Sequence, residues 1–307
     1  MSFRNKLMNM KESQKIEAQC YALLLLPLIG FFVFKIYPIL WTASKAFYYY
    51  DQIPSNTRFT GLENFINAFQ DKQYWASWIT TWEFTFIKLP IEICIALILA
   101  VMLKGNLKGA GFFRGICFMP TIISSALISV IFMNMFDYFG FINYWLDKLH
   151  IINEPIDWFS TKANAMTILV LGSIWGNFGT NVIYFTSALT NVPDDLYEAA
   201  TIDGASKTRQ FFSITIPMIA PVFQTILLLG INGTIQTGDY IITMTNGAPG
   251  GLTHTAGSFL VSSFLPGFAT GRVNVGYGCT FSLISSAIFA GVAVIYSKLS
   301  AKMQEVY

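Results

Sequence analysis

Six long runs of mostly apolar residues constrain this chain more than any other feature. They lie at about 20–44, 79–103, 116–136, 164–189, 218–242 and 276–299. A helix needs roughly 20 such residues to cross the hydrocarbon core of a bilayer. With 54% hydrophobic and only 12% charged residues, the composition is that of a membrane protein and not of a soluble one. The sequence therefore predicts an all-α membrane protein with six transmembrane helices.

Basic residues outside the runs predict the orientation of these helices. With the N-terminus in the cytoplasm, the inner segments carry more Lys and Arg residues than the longer outer segments. The positive-inside rule then places both termini in the cytoplasm, with 1–19 as an N-terminal segment and 20–307 as a transmembrane domain. No small-x-small cleavage site closes the first run, which is predicted to be an uncleaved span. The inner residues are Arg4, Lys6, Lys11, Lys15, Lys104, Lys108, Arg114, Lys207, Arg209, Lys298 and Lys302, and the outer ones are Lys35, Lys45, Arg58, Lys72, Lys148, Lys162 and Arg272.

Cysteine and histidine residues give no sign of a metal site. The four cysteines lie in or beside apolar runs, lack CxxC spacing, and are predicted to be small buried side chains. His150 and His254 lie in separate polar segments. The net charge of +2, without a basic cluster that alternates with aromatic residues, argues against a nucleic-acid partner. The cysteines are Cys20, Cys94, Cys117 and Cys279.

A polar segment between the fourth and fifth runs, Asp194 to Pro217, predicts a short helix-turn-helix in the cytoplasm. Pro193 and the two aspartates after it are typical of a helix start, since acids favour the positive end of the helix dipole. Gly204 allows the left-handed turn that ends this helix, and Ser206 can cap a second one. On this pattern alone, a docking surface for a cytoplasmic protein and a solvated amphipathic loop are equally open.

The order of residues within this segment favours the docking surface. Glu198-Ala199-Ala200 is followed by three residues and Gly204, then by nine residues and Ile214-Thr215-Ile216-Pro217. This resembles the signature of permease subunits of ATP-binding cassette importers, where the last four residues are Ile-x-Leu-Pro. The one departure is isoleucine for leucine, which conserves side-chain volume. Three further elements resemble the same family: Phe59 to Phe65, Phe113-Arg114 ahead of Pro120, and Thr245 to Pro249.

Within that family, the chain is most similar to the first-permease class of the carbohydrate-uptake branch, of the maltose-transporter type. The resemblance implies a coupling loop at 190–217 that docks on a cytosolic ATPase dimer. That dimer binds ATP and Mg, and this chain needs no cofactor. A second homologous permease, an extracellular sugar-binding protein near Gly257 to Gly271, surrounding lipid and a bacterial cell membrane are also implied. The residues implied at the ATPase contact are Glu198, Ala199, Ala200, Asp203, Gly204 and Pro217.

Polar residues repeat on one face of the fourth run and on one face of the fifth. Ser173 begins a series spaced by four, four and three residues, and Thr225 begins one spaced by seven, four and three. Such hydrogen-bonding faces suit hydroxyl-rich ligands, and Trp175 could stack on a sugar ring. The alternative is that these residues bind neighbouring helices to each other. The candidate substrate path consists of Trp175, Asn177, Thr180, Asn181, Tyr184, Asn232, Gln236 and Asp239.

Charged residues in the second run leave a rival function open. Lys88 and Glu92 stand one turn apart and are predicted to pair against another helix, but an ion relay would use the same residue types. The rival is an ion-coupled secondary transporter or channel that also uses Asp239. An enzyme is not favoured, because no Ser-His-Asp, HExxH or carboxylate-pair arrangement lies in the runs. The sequence predicts a sugar or oligosaccharide permease driven by a separate ATPase.

Overall fold

The computed structural model describes residues 12–104, 109–269 and 273–304 of the 307-residue chain. Within these residues, five helices are long and apolar enough to cross a membrane, or six if one bent pair counts as a single span. The structure confirms the all-α class and places each of the six apolar runs in helices. Five basic residues used to predict the orientation lie outside the described residues: Arg4, Lys6, Lys11, Lys108 and Arg272.

Helices make up most of the described chain, and the strands are two residues long. Contacts divide the chain into two compact units, one formed by Met1–Phe69 with Asn274–Ile284 and one by Gln70–Val273 with Ser285–Tyr307. In chain order the elements are α1 (Glu12–Phe31), a π-helical turn (Phe32–Ile36), α2 (Tyr37–Lys45), β1 (Tyr48–Tyr49), a 3-10 turn (Pro54–Asn56), β2 (Arg58–Phe59), α3 (Glu63–Gln70), α4 (Lys72–Lys104), α5 (Ala110–Ile122), α6 (Ser125–Met135), α7 (Phe141–Lys148), α8 (Lys162–Thr190), α9 (Asp194–Ile202), α10 (Lys207–Gln210), a second π-helical turn (Phe211–Thr215), α11 (Ile216–Ile235), α12 (Gly238–Met244), α13 (Ala256–Phe264) and α14 (Val275–Gln304).

In the first unit, a side-chain amide holds the backbone that follows α2. The Asn64 Nδ2 donates to the carbonyl oxygen of Ala46 at 2.9 Å and to that of Tyr48 at 3.1 Å. Since Asn64 belongs to the Phe59 to Phe65 element, this element fastens the antiparallel β1–β2 pair to α3. The first turn of α14 passes so close that a Cβ at Gly276 would clash with the Tyr48 carbonyl oxygen.

The second unit is built around α4 and α8, which pack against each other more extensively than any other pair of described elements. Ala96 and Ala100 of α4 are fully buried and belong to one cluster with Phe185 and Leu189 of α8 and Ile226 of α11. Lipid tails are as apolar as leucine, so close packing of small against large side chains is what holds such helices together. The α4–α8 pair is therefore the frame that positions the polar residues of the second unit.

The third run, predicted as one helix at about 116–136, is a pair of helices bent by 94°. Helix α5 ends at Ile122, and the next residue, Ile123, is extended with a ψ of 135°. The Ser124 Oγ accepts a hydrogen bond from the Leu127 N–H at 3.3 Å and caps α6. The single-helix prediction is wrong because this serine offers the backbone a local partner and starts a new helix.

The fifth run, predicted at about 218–242, both begins and ends earlier. Helix α10, the second π-helical turn and α11 follow without a break from Lys207 to Ile235, so Pro217 lies inside a helix. The π-helical turn accommodates Pro217, which has no N–H to donate to the preceding turn. Beyond Ile235 the helix breaks, because the Thr237 Oγ1 donates to the Thr234 carbonyl at 2.6 Å in place of a helical bond.

The segment Gly257 to Gly271 was predicted to be an interfacial or re-entrant loop, but much of it is helical. Helix α13 begins after Thr255, whose side chain and that of Ser258 form a capping box, and it packs against α4 and α12. The helix is nine residues long and does not span a membrane, in keeping with the prediction, and the capping box starts it before the proline and glycines can interrupt it. The interfacial or re-entrant position stays a prediction. Gly271 lies outside the described residues.

Burial of the cysteines also differs from the prediction. Cys279 is buried, Cys117 is half-buried, and Cys20 and Cys94 are exposed. The prediction failed because an apolar run shows only that a residue lies in a membrane-length helix. It does not show whether that face of the helix meets another helix of the same chain.

The crossing of α5 and α8 depends on Gly179, because a Cβ there would clash with the backbone carbonyl of Cys117. We expect Gly179→Ala to destabilise the protein by about 1–3 kcal/mol, since backbone has to shift. Gly233→Ala in α11 is the matched control, because nothing lies within 4 Å of a Cβ added there. Size-exclusion chromatography of detergent-purified protein after stepwise heating measures both. Equal heat resistance of Gly179→Ala and the wild type would contradict this account.

Candidate functional site

The segment predicted as a coupling loop, 190–217, forms two helices joined by a tight turn. Helix α9 begins at Asp194, directly after the proline predicted to start it. Gly204 follows in the left-handed region with a φ of +77°, and the Ser206 Oγ accepts a hydrogen bond from the Arg209 N–H at 3.3 Å. The predicted helix start, turn and second cap are all confirmed.

Five of the six residues predicted to contact an ATPase lie close together on this segment. Pro217 lies apart from them, half-buried inside the continuous helix. Two apolar side chains share the surface: Ile202 is 87% exposed and Phe212 is 65% exposed. Ile202 lies in α9 and Phe212 in the π-helical turn after α10, so both belong to the segment outside the long apolar helices. The exposed members of the predicted set are Glu198, Ala199, Asp203 and Gly204, and Ala200 is half-buried.

A buried glutamine that the sequence interpretation missed holds this segment in shape. Gln210 is 3% exposed, and its Nε2 donates to the Thr201 Oγ1 at 2.9 Å and to the Ala205 carbonyl at 3.2 Å. Its Oε1 accepts from the Lys207 Nζ at 3.4 Å. One amide therefore ties the end of α9 to the start of α10. Its signal in the sequence is a single uncharged amide in the nine-residue gap of the signature.

Two contacts fasten the loop to the long helices of the second unit. The Tyr197 hydroxyl lies 2.8 Å from the Thr215 Oγ1, which links α9 to the π-helical turn that leads into α11. The Lys104 ammonium, at the end of α4, lies 4.7 Å from the centroid of the Tyr197 ring, a cation–π distance. Helix α9 is therefore fastened to both α4 and the turn that leads into α11.

Some residues of the predicted polar face of α8 pack against protein, and others are exposed. Ser173 is buried, and its carbonyl accepts from the Asn177 Nδ2 at 2.7 Å. Asn181 donates through Nδ2 to the Glu92 Oε1 of α4 at 2.7 Å. Asn181 thus binds a neighbouring helix, which is the alternative that the pattern left open. Asn177 and Tyr184 remain exposed.

Trp175 and Thr180 of the predicted path are both half-buried. The Trp175 ring packs at 5.9 Å from the Phe132 ring of α6, beside one of the two buried apolar clusters of the second unit. Trp175 therefore serves the packing of α6 against α8, and its ring is less open to a ligand than the sequence suggested.

The stripe predicted on the fifth run is not one helical face, because α11 ends at Ile235. Asn232 and Gln236 are exposed and bound to each other, with the Gln236 Nε2 donating to the Asn232 Oδ1 at 2.7 Å. Asp239 lies in α12, beyond the break, and its Oδ2 accepts from the Ser125 Oγ at 2.9 Å. Among the described residues, no hydrogen bond joins the exposed polar groups of α8 to these three.

The two helix breaks meet at this hydrogen bond. Ser125 is the first residue of α6, and Asp239 lies in the first turn of α12. The Ser129 Oγ donates to the Tyr240 carbonyl at 2.9 Å, and the Tyr240 hydroxyl donates to the Leu169 carbonyl at 2.8 Å, so α12 is fixed to α6 and α8. A carboxylate at helix N-termini is stabilised by the helix dipoles. Broken helices of this kind mark substrate sites in many transporters.

Lys88 and Glu92 form a buried ion pair near the middle of α4. The Lys88 Nζ lies 3.3 Å from the Glu92 Oε2, and the two side chains are 4% and 3% exposed. Because the other carboxylate oxygen accepts from Asn181, the predicted pairing against another helix is confirmed. In the part of the chain that the structure describes, no group of three or more His, Cys, Asp and Glu side chains could hold a metal ion.

The loop between α12 and α13 contains the Thr245 to Pro249 element and is tightly bonded. The Oγ1 atoms of Thr245 and Thr253 lie 2.9 Å apart, and Thr253 also donates to the Ala248 carbonyl at 2.7 Å. Gly247 has a φ of +82°, and a Cβ there would clash with the ring of His254. Glycine is needed at this position for both reasons. The loop is therefore a fixed part of the second unit.

Sequence comparisons place these features among transport proteins. The family described as "Binding-protein-dependent transport system inner membrane component" matches residues 92–303. The trehalose/maltose transport system permease protein MalF of Thermococcus litoralis is 29% identical over 285 residues, which cover 92% of this chain and 94% of that one. The lactose transport system permease protein LacF of Rhizobium radiobacter is 32% identical over 243 residues, with 77% and 81% covered.

A solved structure shares the fold. In the crystal structure of a bacterial ABC transporter involved in the import of the acidic polysaccharide alginate, one chain superposes with a TM-score of 0.80. The match covers 95% of this chain and 98% of that chain at 18% sequence identity.

Because Lys88 and Glu92 are buried together, we expect the loss of one charge to destabilise the protein more than the loss of both. Glu92→Ala leaves the Lys88 ammonium buried without its partner, and we expect a loss of about 3–5 kcal/mol of stability. Lys88→Met combined with Glu92→Leu removes both charges, and we expect that double variant to lie closer to the wild type. Heating followed by size-exclusion chromatography in detergent ranks the three proteins. A double variant as unstable as Glu92→Ala would contradict the expectation.

Proposed function

The chain belongs to the family of inner membrane components of binding-protein-dependent transport systems, and on that premise we propose that it forms half of the pore of a sugar importer. It is a multi-pass membrane permease subunit and not an enzyme. In the proposed cycle, an extracellular binding protein delivers a sugar or oligosaccharide to the pore. A separate ATP-binding cassette ATPase drives its passage by alternating access.

The observation that carries this proposal is the exposed and internally braced segment 190–217. Its outer surface presents Glu198 with Ala199 and the open apolar side chain of Ile202, so a partner backbone can approach closely and a basic side chain can pair with the acid. Its inner side is fixed by Gln210. A surface that is both free and rigid can pass movement of an ATPase to the helices, whereas a flexible loop would absorb it.

Orientation and span number belong to the same proposal. The bent pair α5–α6 counts as the third of six spans, both termini are cytoplasmic, and α9 lies on the cytoplasmic side. Lys104, Lys207 and Arg209 support this orientation because they cluster at the end of the molecule that carries the loop. Segment 1–19 is then cytoplasmic, and 20–307 is the transmembrane domain.

A chain that forms half of a pore needs partner proteins. We assign the other half to a second homologous permease, and the binding of ATP and Mg to a cytosolic ATPase dimer, so this chain holds no cofactor. Lipid surrounds the exposed helix faces. Pro217 acts through the helix in which it lies. The ATPase contact consists of the five other residues of the predicted set: Glu198, Ala199, Ala200, Asp203 and Gly204.

Exposed amide and hydroxyl groups support a sugar as the substrate. Asn177 and Tyr184 of α8 and Asn232 and Gln236 near the end of α11 are exposed and bear neutral hydrogen-bonding groups. Asp239 adds a carboxylate where the two broken helices meet. The remaining members of the predicted path are half-buried: Trp175 packs against Phe132, Asn181 donates to Glu92, and Thr180 lies between them in sequence. The names of the MalF and LacF relatives, which are sugar transport permeases, agree with this substrate class.

Ion-coupled transport gains no support from the geometry. Lys88 and Glu92 form an ion pair inside the protein, and Asn181 donates to the other carboxylate oxygen of Glu92. Asp239 is bound to Ser125 instead of continuing a pathway from that pair. Collapse of the proton and sodium gradients at constant ATP should therefore leave uptake unchanged.

Co-purification tests the proposal most directly. The chain is extracted from its native membrane in mild detergent, and the proteins that accompany it are identified by mass spectrometry. Recovery of a second permease and an ATPase supports the importer. Isolation of the chain alone, under conditions that preserve other membrane complexes, would contradict it.

Charge reversal at the loop surface should separate the ATPase from the permease. We expect Glu198→Arg to weaken ATPase binding by about tenfold or more, or about 1.4 kcal/mol, because it reverses the charge offered to the partner. Glu154→Arg is the matched control, since Glu154 is equally exposed but lies between α7 and α8. The yield of ATPase per permease, measured by quantitative mass spectrometry, tests both. Equal yields for the two variants would argue against the assigned contact.

A further inference from the structure

A cavity of about 500 Å³ lies away from the coupling loop and the predicted substrate path. Its walls come from the first turns of α4, the start of α8, the loop before α13, and α13 itself. Its volume falls within the range of about 300–1,000 Å³ that is usual for small-molecule sites. None of the eight residues of the predicted path lines it.

The cavity lies at the opposite end of α4 from the coupling loop. Gln73 to Thr80 of α4 line it, whereas Lys104, at the other end of that helix, contacts Tyr197 of the loop. A helix of 33 residues is about 50 Å long at 1.5 Å per residue, which exceeds the thickness of a bilayer. If the loop is cytoplasmic, as proposed above, the cavity opens on the outer side of the membrane.

Two polar side chains in the wall have unused hydrogen-bonding capacity. Among the described residues, neither the exposed side-chain amide of Gln73 nor the half-buried hydroxyl of Ser263 has a hydrogen-bond partner in the protein. They sit on different helices, α4 and α13, and both line the cavity. Phe259, Ile79 and Leu252 contribute apolar atoms to the same lining. A few donors and acceptors beside apolar side chains are what small-molecule sites commonly offer, and a sugar ring has hydroxyl groups and an apolar face to meet both.

The charge in the wall is balanced. Lys162 is the one ammonium group among the described lining residues, and it forms an ion pair with Glu83 at 2.5 Å. His254 also lines the cavity, and burial lowers the pKa of its imidazole, so the ring is neutral at physiological pH. The lining therefore offers no unpaired charge to an anion, and a neutral ligand is favoured over an acidic one.

The wall is also preformed. The bonded loop that ends at His254 is anchored to α4, because the Thr80 Oγ1 donates to the Leu252 carbonyl at 3.3 Å. The Thr81 Oγ1 accepts from the Ala256 N–H at 2.9 Å and fixes the start of α13 in the same way. A ligand would therefore not have to order the loop when it binds, which lowers the cost of binding.

We propose that this cavity is an outer subsite that binds one neutral sugar ring of the substrate before it reaches the pore. The Gln73 amide and the Ser263 hydroxyl bind ring hydroxyls, and Phe259 contacts the apolar face of the ring. This inference rests on the proposed function for the class of ligand and for the side of the membrane. It adds a binding site outside the helical path described above.

Site-directed thiol labelling tests the subsite in the complete transporter. Gln73→Cys, Ser263→Cys and the control Asn153→Cys, in the exposed segment between α7 and α8, are each reconstituted with the partner subunits into phosphatidylcholine nanodiscs. A membrane-impermeant maleimide is added with and without maltose, trehalose or lactose, and peptide mass spectrometry follows each cysteine separately. We expect at least one sugar to slow labelling at Gln73→Cys and Ser263→Cys about fivefold at four times its dissociation constant. Asn153→Cys should not respond.

Labelling in the presence of other molecules identifies what occupies the cavity. We expect sn-glycerol 3-phosphate, a hydroxylated anion, to give no protection at concentrations where a neutral sugar does. Protection by phosphatidylglycerol in the nanodisc without sugar would overturn the proposal in favour of a lipid headgroup. The binding protein is left out of these measurements, because its expected contact segment, Gly257 to Gly271, contains Ser263 and would shield it without sugar. Unchanged labelling with all three sugars would also overturn it.

Failure of the subsite is distinguishable from failure of the proposed function. Co-purification with the ATPase and sugar uptake by the wild-type complex test the importer without reference to the cavity. A wild-type complex that imports one of the three sugars, while that sugar leaves both cavity cysteines unprotected, overturns the subsite alone. Two cysteine positions on different helices guard against a variant that fails to fold.

Discussion

Backbone hydrogen bonding inside the hydrocarbon layer is the constraint on which this structure depends. Each N–H and C=O left without a partner there costs several kcal/mol, so helices can stop at depth only where another group replaces the lost bond. Ser124 supplies that group at the start of α6, and Thr237 supplies it after α11. These two local bonds allow the breaks that bring Ser125 and Asp239 together, and the candidate pore surface is arranged around them.

The sequence predicted the helices that follow from long apolar runs. It did not predict a helix break that depends on a single side chain. Six apolar runs fixed the class and the approximate position of the helices, since a periodic or uniform pattern of about 20 residues averages over local detail. The break at Ser124 depends on one hydroxyl within an otherwise continuous run, and nothing in the average hydropathy marks it. At Pro217 the sequence predicted a helix boundary that the structure does not have. A π-helical turn accommodates this proline, a residue that usually ends a helix.

In the candidate site, too, some residues could be predicted from the sequence and others could not. Helix start and stop signals in the loop predicted Gly204 and Ser206 correctly, because each position requires a particular backbone conformation or cap. The residues that hold the loop in place, Gln210, Tyr197 and Lys104, were not predicted, since their partners are distant in sequence or depend on how the helices pack. On α8, spacing identified the polar residues but not which of them face another helix, and Asn181 turned out to face Glu92.

The placement of the buried ion pair also affects how the protein is made. Lys88 and Glu92 lie four residues apart on the same helix, so they can neutralise each other before any other helix is present. The middle of helix α4 can therefore leave the translocon with its two buried charges already paired, without waiting for α8 to be synthesised. Glu83, which pairs with Lys162 of α8, is half-exposed nearer the start of α4 and is not buried as Lys88 and Glu92 are. Asn181 then joins a pair that already exists. An ion pair shared between two helices would instead have made the insertion of the first depend on the arrival of the second.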